Sequence, residues 1–255
     1  MPMNMQEIER TLKSLRLPGM RSTLDTRSLQ VAQGNLSFMD GFSLLLQDEM
    51  DRRHSKLIER RYALSGLPEK KTFEDFEWRY NPKVPKNECF ELLTGKFITE
   101  REDAILIGPP GTGKSHVAKA VAWSAVLRGH RVFYREAHVL IEDLMKAQAI
   151  GTLRKFLTQI EAADLVVLDD LFLRKIATHG ADEVIEIVMN RYGKASTLIT
   201  SNRPTEDWGK LLGDAVVVAP VLDRLYHRSY LLKFEGKSYR RGQAAERLAK
   251  RRAEG

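Results

Sequence analysis

The chain has 255 residues, 43% of them hydrophobic, enough for one well-filled core and a small second unit. No apolar run approaches the roughly 18 residues of a membrane span, the start MPMNMQEIER lacks a basic-then-apolar signal pattern, and the single cysteine, Cys89, excludes an internal disulfide framework and fits a reducing cytoplasm. A net charge of +7, from 41 Lys and Arg against 34 Asp and Glu, points to an anionic partner, nucleic acid before any other.

Residues 1–65 read as helices, a small N-terminal domain facing DNA or a partner. Ile8, Leu12, Leu15 and Leu17 fall roughly on one face before Pro18-Gly19 breaks the run. A second periodic stretch carries Phe42, Leu45, Leu46, Met50, Leu57 and Leu64. Opposite that stripe, Arg52, Arg53, Lys56 and Arg60 are spaced by threes and fours, either a solvated face or a surface for DNA. Residues 66–95 hold three prolines and little periodicity, which predicts a linker with short local structure. Its aromatics, Phe73, Phe76, Trp78 and Tyr80, are expected to pin it to the next domain.

From residue 96 to 236 the pattern changes to short β-branched runs alternating with helical segments. DAILIG, HRVFYRE, DLVVLDD and ASTLITSN are the expected strands, and SYLLKF an edge strand. Such alternation predicts an α/β domain, a parallel sheet with flanking helices. Residues 237–255 form a tail in which seven Lys and Arg face two Glu.

The stretch GPPGTGKSH comprises Gly108, Pro109, Pro110, Gly111, Thr112, Gly113, Lys114, Ser115 and His116. Its glycines let successive N–H groups turn inward onto phosphate oxygens, and the helix that follows offers its positive end. Lys114 would reach the β- and γ-phosphates and the Ser115 hydroxyl would ligate Mg²⁺. LVVLDD then delivers Asp169 as a Mg²⁺ ligand through water and Asp170 to orient or deprotonate the attacking water, unless the pair is a polar turn or helix cap. Asn202, ending LITSN, can hydrogen-bond both a water and a γ-phosphate. Arg224 could stabilise γ-phosphate charge from a neighbouring subunit, as could Arg228 one turn on; surface ion pairing is the plain alternative. ATP and Mg²⁺ are the cofactors implied.

In this order, phosphate loop, acidic strand end, polar strand end and arginine, the motifs resemble those of the AAA+ P-loop ATPases. LVVLDDLFLRK, LITSNRP, DRLYHR and GKSYR, with TLKSLRLPGM, QDEMDRRHSKLIERR and TFEDFEW ahead of them, are similar to the IstB-like branch, transposition helper ATPases of bacterial insertion elements. Helicase loaders of the DnaC type are relatives and give the alternative reading. The resemblance implies a homo-oligomeric ring or spiral on duplex DNA that bends it and presents it to a transposase, with Asn202 as sensor and Arg224 as arginine finger. Asp170 stands where many relatives have Glu, which suggests slow hydrolysis. Leu171-Phe172-Leu173 replaces a Phe-Gly pair, and the short tail leaves Arg240 or Arg241 as the only stand-ins for a lid arginine.

Basic residues cluster at Arg52–Arg61, at Arg154-Lys155 with Arg174-Lys175, and in the tail. Without zinc spacing, a helix-turn-helix signature or an RNA-recognition aromatic motif, phosphate contacts with little sequence preference are expected. A GTPase lacks its N-K-x-D motif here, and a small-molecule kinase would need an Arg-rich lid.

Overall fold

Asn4 opens the first helix through a reciprocal cap. Its side chain accepts from the Glu7 N–H (3.0 Å), while Glu7 Oε2 accepts from the Asn4 N–H (2.8 Å). This helix, α1 (Met5–Ser14), leads to α2 (Pro18–Ala32), with proline in its first turn, and to α3 (Phe38–Ser65). The computed structural model describes residues 2–172, 178–211 and 215–253. The chain divides into two units, residues 1–60 and 61–255, with the division inside α3.

In the first unit Glu49 on α3 accepts from the N–H groups of Gly19 (2.6 Å) and Met20 (3.3 Å), placing a carboxylate at the start of α2. The approach is so close that a side chain at Gly19 would collide with the Glu49 backbone. Leu12, Met20 and Leu24 form the buried centre, with Ile8, Leu17 and Leu45 packed on it. Leu15 ends α1 and turns outward. Of the stripe expected along α3, Leu45 packs inward, whereas Phe42, Leu46, Met50, Leu57 and Leu64 stay exposed. So small a centre cannot cover the full length of α3.

In the second unit α4 (Lys86–Leu93) and α5 (Lys96–Thr99) precede the sheet. Its strands are β1 (Asp103–Ile107), β2 (Val132–Glu136), β3 (Leu165–Leu171), β4 (Ser196–Ser201) and β5 (Ser229–Lys233), in spatial order β2-β3-β4-β1-β5, all neighbours parallel. The expected parallel sheet is therefore present, with SYLLK as the edge strand beside β1. Between strands run α6 (Lys114–Leu127), α7 (Ala137–Ala149), α8 (Leu153–Glu161), α9 (Thr178–Arg191), α10 (Trp208–Leu211) and α11 (Ala215–His227); α12 (Tyr239–Ala253) ends the described chain. Ile105, Phe133, Val166, Leu168 and Ile199 share one apolar cluster with Leu140 and Leu144 of α7, Ile160 of α8 and Ile187 of α9. The alternate residues Ala104, Leu106, Val167 and Leu198, equally buried, face the other side. Strands covered on both faces explain the near-continuous apolar runs in the sequence. Among the described residues, no helix is long and apolar enough to cross a membrane.

Two buried ionic groups tie the sheet's lower edge. Arg191 donates to the carbonyls of Ile160 (2.9 Å), Ala163 (2.9 Å) and Ser196 (2.6 Å), joining the turns before β3 and β4. Asp103 accepts from the Thr197 N–H (2.7 Å). Burial pushes the Asp103 carboxyl up to about 6, against the opposing pull of that N–H, Arg191 and Arg228. A carboxyl with a raised native pKa favours the fold at low pH and loses that contribution as pH rises through the interval between its ordinary value and about 6. Relative to the parent, Asp103→Asn should therefore gain about 2 kcal/mol in stability on going from about pH 4 to about pH 7. Urea titrations across that range check this; a pH-independent difference would contradict it.

Candidate nucleotide site

β1 ends at Ile107, and the chain turns at Gly108 so close to the Phe234 carbonyl that no side chain fits there. Gly113 adopts φ 107° with the Phe76 ring against it, and α6 begins at the next residue. Only glycine meets both demands at this bend. Lys114 thus starts a helix at the centre of the loop and is 3% exposed. Its Nζ donates to Gly108 O (2.7 Å), Pro109 O (2.9 Å) and Asn202 Oδ1 (2.7 Å). Burial lowers its pKa to about 8, although Asp170 and Asp169 pull it upward. The Thr112 hydroxyl donates to Pro109 O (2.8 Å) and braces the loop from inside.

Asp169 and Asp170 lie near the C-terminal end of β3, which only β4 separates from β1, so both reach the loop's side of the sheet. Both Asp169 oxygens are engaged: Tyr134 donates its hydroxyl to Oδ2 and Thr200 its hydroxyl to Oδ1, each at 2.5 Å. The pairing of β3 with β4 shifts between Leu168 and Leu171, and Asp170 takes φ 54°, a conformation uncommon outside glycine. Its N–H donates to the Thr200 hydroxyl (2.8 Å), and its Oδ1 accepts from Asn202 Nδ2 (3.3 Å). Burial and then the neighbouring Asp169 charge raise the Asp170 carboxyl above its ordinary range. Asn202 therefore stands between the ammonium of Lys114 and the carboxylate of Asp170.

Tyr134 and Thr200 were not singled out from sequence. Thr200 had a detectable signal, since it lies two residues before Asn202, near the end of β4. Tyr134 needed the knowledge that β2 borders β3.

Thr112, Lys114, Asp169, Asp170 and Asn202 line a cavity of about 410 Å³ together with Ser115 and His116. A second wall comes from the stretch expected to be a linker. Phe76, Tyr80 and Asn81 line the cavity, and Tyr239 and Arg240 face it from the start of α12. Asn81 accepts from the Lys237 N–H (3.0 Å) and donates to its carbonyl (2.9 Å), Tyr80 donates to Ser238 O (3.1 Å), and the Tyr239 N–H donates to Gly111 O (2.9 Å). His116 holds Thr72 O at 2.7 Å. Residues 66–95 are thus part of the second unit, and their aromatics cluster: Phe73, Phe76 and Phe90 all pack on Trp78.

The remaining candidates lie apart from this cavity. Arg224 is exposed, with Nη1 3.6 Å from Met189 Sδ, and Arg228 is exposed, donating to Glu100 O at 3.4 Å. Neither lines the cavity. Arg52, Lys56 and Arg60 are exposed on α3, but Arg53 donates to Glu49 Oε1 (2.7 Å) and Arg16 O (3.1 Å), so its charge already serves the first unit's own structure. Arg154 and Lys155 are exposed at the start of α8. Arg174 and Lys175 lie outside the described residues.

The oxygen-rich donor set of Ser115, Asp169 and Asp170 suits a hard cation such as Mg²⁺, and the cavity is of the size that holds a nucleotide. A parallel β2-β3-β4-β1-β5 sheet with a glycine-rich loop after β1 and paired carboxylates ending β3 defines a P-loop protein of the AAA+ class. Within that class the chain belongs to the IstB-like ATP binding protein family, whose profile matches residues 10–247. It is 34% identical over 236 residues to a Pseudomonas aeruginosa protein of insertion sequence IS21 named for ATP binding, covering 92% of this chain and 89% of that relative. A counterpart of insertion sequence IS5376 from Geobacillus stearothermophilus is 31% identical over 226 residues, with coverage of 89% and 90%. Among solved structures, the DnaC helicase loader aligns with TM-score 0.51 at 22% identity, covering 62% of this chain and 98% of that one. The replication initiator DnaA bound to AMPPCP and single-stranded DNA aligns with TM-score 0.56 at 22% identity, covering 68% and 52%. Both likenesses concern the fold.

Proposed function

We propose that this protein is an ATP-dependent DNA-binding helper of transposition that assembles on duplex DNA, deforms it and presents it to the transposase of its element, with ATP hydrolysis as the switch. The observation that carries the reading is the convergence of Lys114, Asn202, Asp170 and Asp169 on one cavity while Arg224 stands exposed elsewhere. A site so divided has its phosphate-holding half in one subunit and its arginine in the next. That arrangement makes nucleotide binding and subunit contact one event.

In this mechanism the loop N–H groups and Lys114 hold the β- and γ-phosphates. Ser115 and Asp169 would hold Mg²⁺, which would offset phosphate charge. Tyr134 and Thr200 fix the Asp169 carboxylate from behind. Asp170 and Asn202 position the attacking water, and Asp170 is the acceptor of its proton. Its reach is one methylene shorter than that of glutamate, so turnover is slow and the ATP-held assembly long-lived. The insertion-sequence setting of the relatives supports the transposase as partner.

The reading is tested by sedimentation velocity on linear duplex with and without ATP and Mg²⁺. Large complexes that form only with nucleotide are expected. Equal complexes in its absence would remove the switch, and a preference for single strands would favour a helicase loader.

A further inference from the structure

The hairpin of α7 and α8 presents an isoleucine to solvent in an unusual way. Its base is anchored: Leu140, Leu144 and Ile160 are buried in the main core, Leu153, Phe156 and Leu157 pack against it, and Ala147 is buried as well. Its tip is Ile150, 73% exposed. Despite that exposure the tip is tied down by its own backbone. Ile150 N–H donates to Lys146 O (3.1 Å), Gly151 N–H to Gln148 O (3.1 Å), Thr152 N–H to Ala147 O (2.8 Å) and Phe156 N–H to Thr152 O (3.1 Å). Gly151 takes φ 71° and has open space in front of it. An ordered, outward-pointing branched side chain forgoes the burial that normally stabilises it.

The surroundings indicate what it meets. Between Asp143 and Glu161 the sequence has no acidic residue and carries Lys146, Arg154 and Lys155. Asp143 itself is held by Arg135 (3.1 Å). An apolar point flanked on both helices by cations is complementary to a stack of bases between two phosphate backbones, and much less so to an apolar protein groove. Rigid apolar side chains in such settings enter base steps and kink the duplex.

We propose that Ile150 is a wedge that inserts between stacked base pairs, with Lys146, Arg154 and Lys155 gripping the adjoining phosphates. The wedge rests on the duplex-binding reading above and supplies the means by which that duplex is deformed. Pyrimidine–purine steps, the easiest to unstack, are its preferred points of entry.

The test uses the full chain with ATP and Mg²⁺ on a linear duplex carrying 2-aminopurine at several pyrimidine–purine steps, at protein concentrations that saturate the DNA. The parent should raise 2-aminopurine fluorescence roughly two- to threefold as steps unstack. Ile150→Ala should lose most of that rise, Ile150→Met should retain it, and neither should change the salt dependence of binding. Arg154→Ala with Lys155→Ala should make the slope of log affinity against log salt shallower by about 0.9 for each phosphate contact removed. Parent complexes that form without any rise, or a rise undiminished in Ile150→Ala, would overturn the wedge while leaving duplex binding intact. Absence of parent binding to duplex, seen before any fluorescence is read, would overturn both.

Discussion

Lys114→Ala should leave a chain that folds like the parent but no longer responds to ATP. The ammonium it removes is almost fully buried, and in the free protein its three partners are two loop carbonyls and Asn202. Lys114 and Asn202 both line the cavity, so water can enter the space the ammonium leaves, and the burial that lowers this lysine's pKa to about 8 is relieved. The change in stability without ligand should therefore stay within about 1 kcal/mol. With ATP the account is different. A triphosphate left without its buried cation loses about 2–5 kcal/mol, roughly thirty- to several-thousand-fold in affinity. Thermal melts read both effects together: the parent's Tm rises with ATP and Mg²⁺ while the variant's does not. An equal rise in both would mean that the phosphates lie elsewhere.

Arg224→Ala should abolish hydrolysis, by roughly a thousandfold, while leaving ATP binding by each subunit in place. The geometry makes the expectation sharper than loss of activity. Arg224 does not border its own chain's cavity, so on the proposed reading its target is in another copy. Lys114→Ala and Arg224→Ala should then each be inactive alone but recover turnover when mixed. In the mixed assembly an intact cavity from one variant meets an intact arginine from the other. A mixture as inactive as its components would refute a shared site. Arg228→Ala, one helical turn on, is the comparator, and complementation by it in place of Arg224 would move the role to Arg228.

The strands and the loop were legible because their signals are local. A β-branched run, three glycines and an adjacent pair of carboxylates each announce themselves within ten residues or so. Asp169, Asp170 and Asn202 then meet because parallel strands present their C-terminal ends to the same side of the sheet. What escaped was set by neighbours distant in sequence. Tyr134 matters only because β2 borders β3, and its phenol is indistinguishable in sequence from a core aromatic. Residues 66–95 read as a linker because prolines and absent periodicity describe the segment itself; its place beside the loop depends on Asn81 finding Lys237. Arg53 is a mixed case, exposed yet ion-paired. Its spacing put it on a basic face, but Glu49, one turn back, binds it as part of the cap on α2. Charge periodicity does not distinguish a cation offered to solvent from one already committed.

The clasp between Asn81 and Lys237 has a practical corollary for anyone dissecting the molecule. A fragment cut to start at the first strand would discard Phe76 and Tyr80 along with the partner of Lys237. One trimmed after the last strand would lose Tyr239 and its bond to the loop. Neither end can be pared back to the sheet and its loop without opening the cavity. A piece that keeps the cavity whole must begin no later than Lys71 and run at least to Arg240.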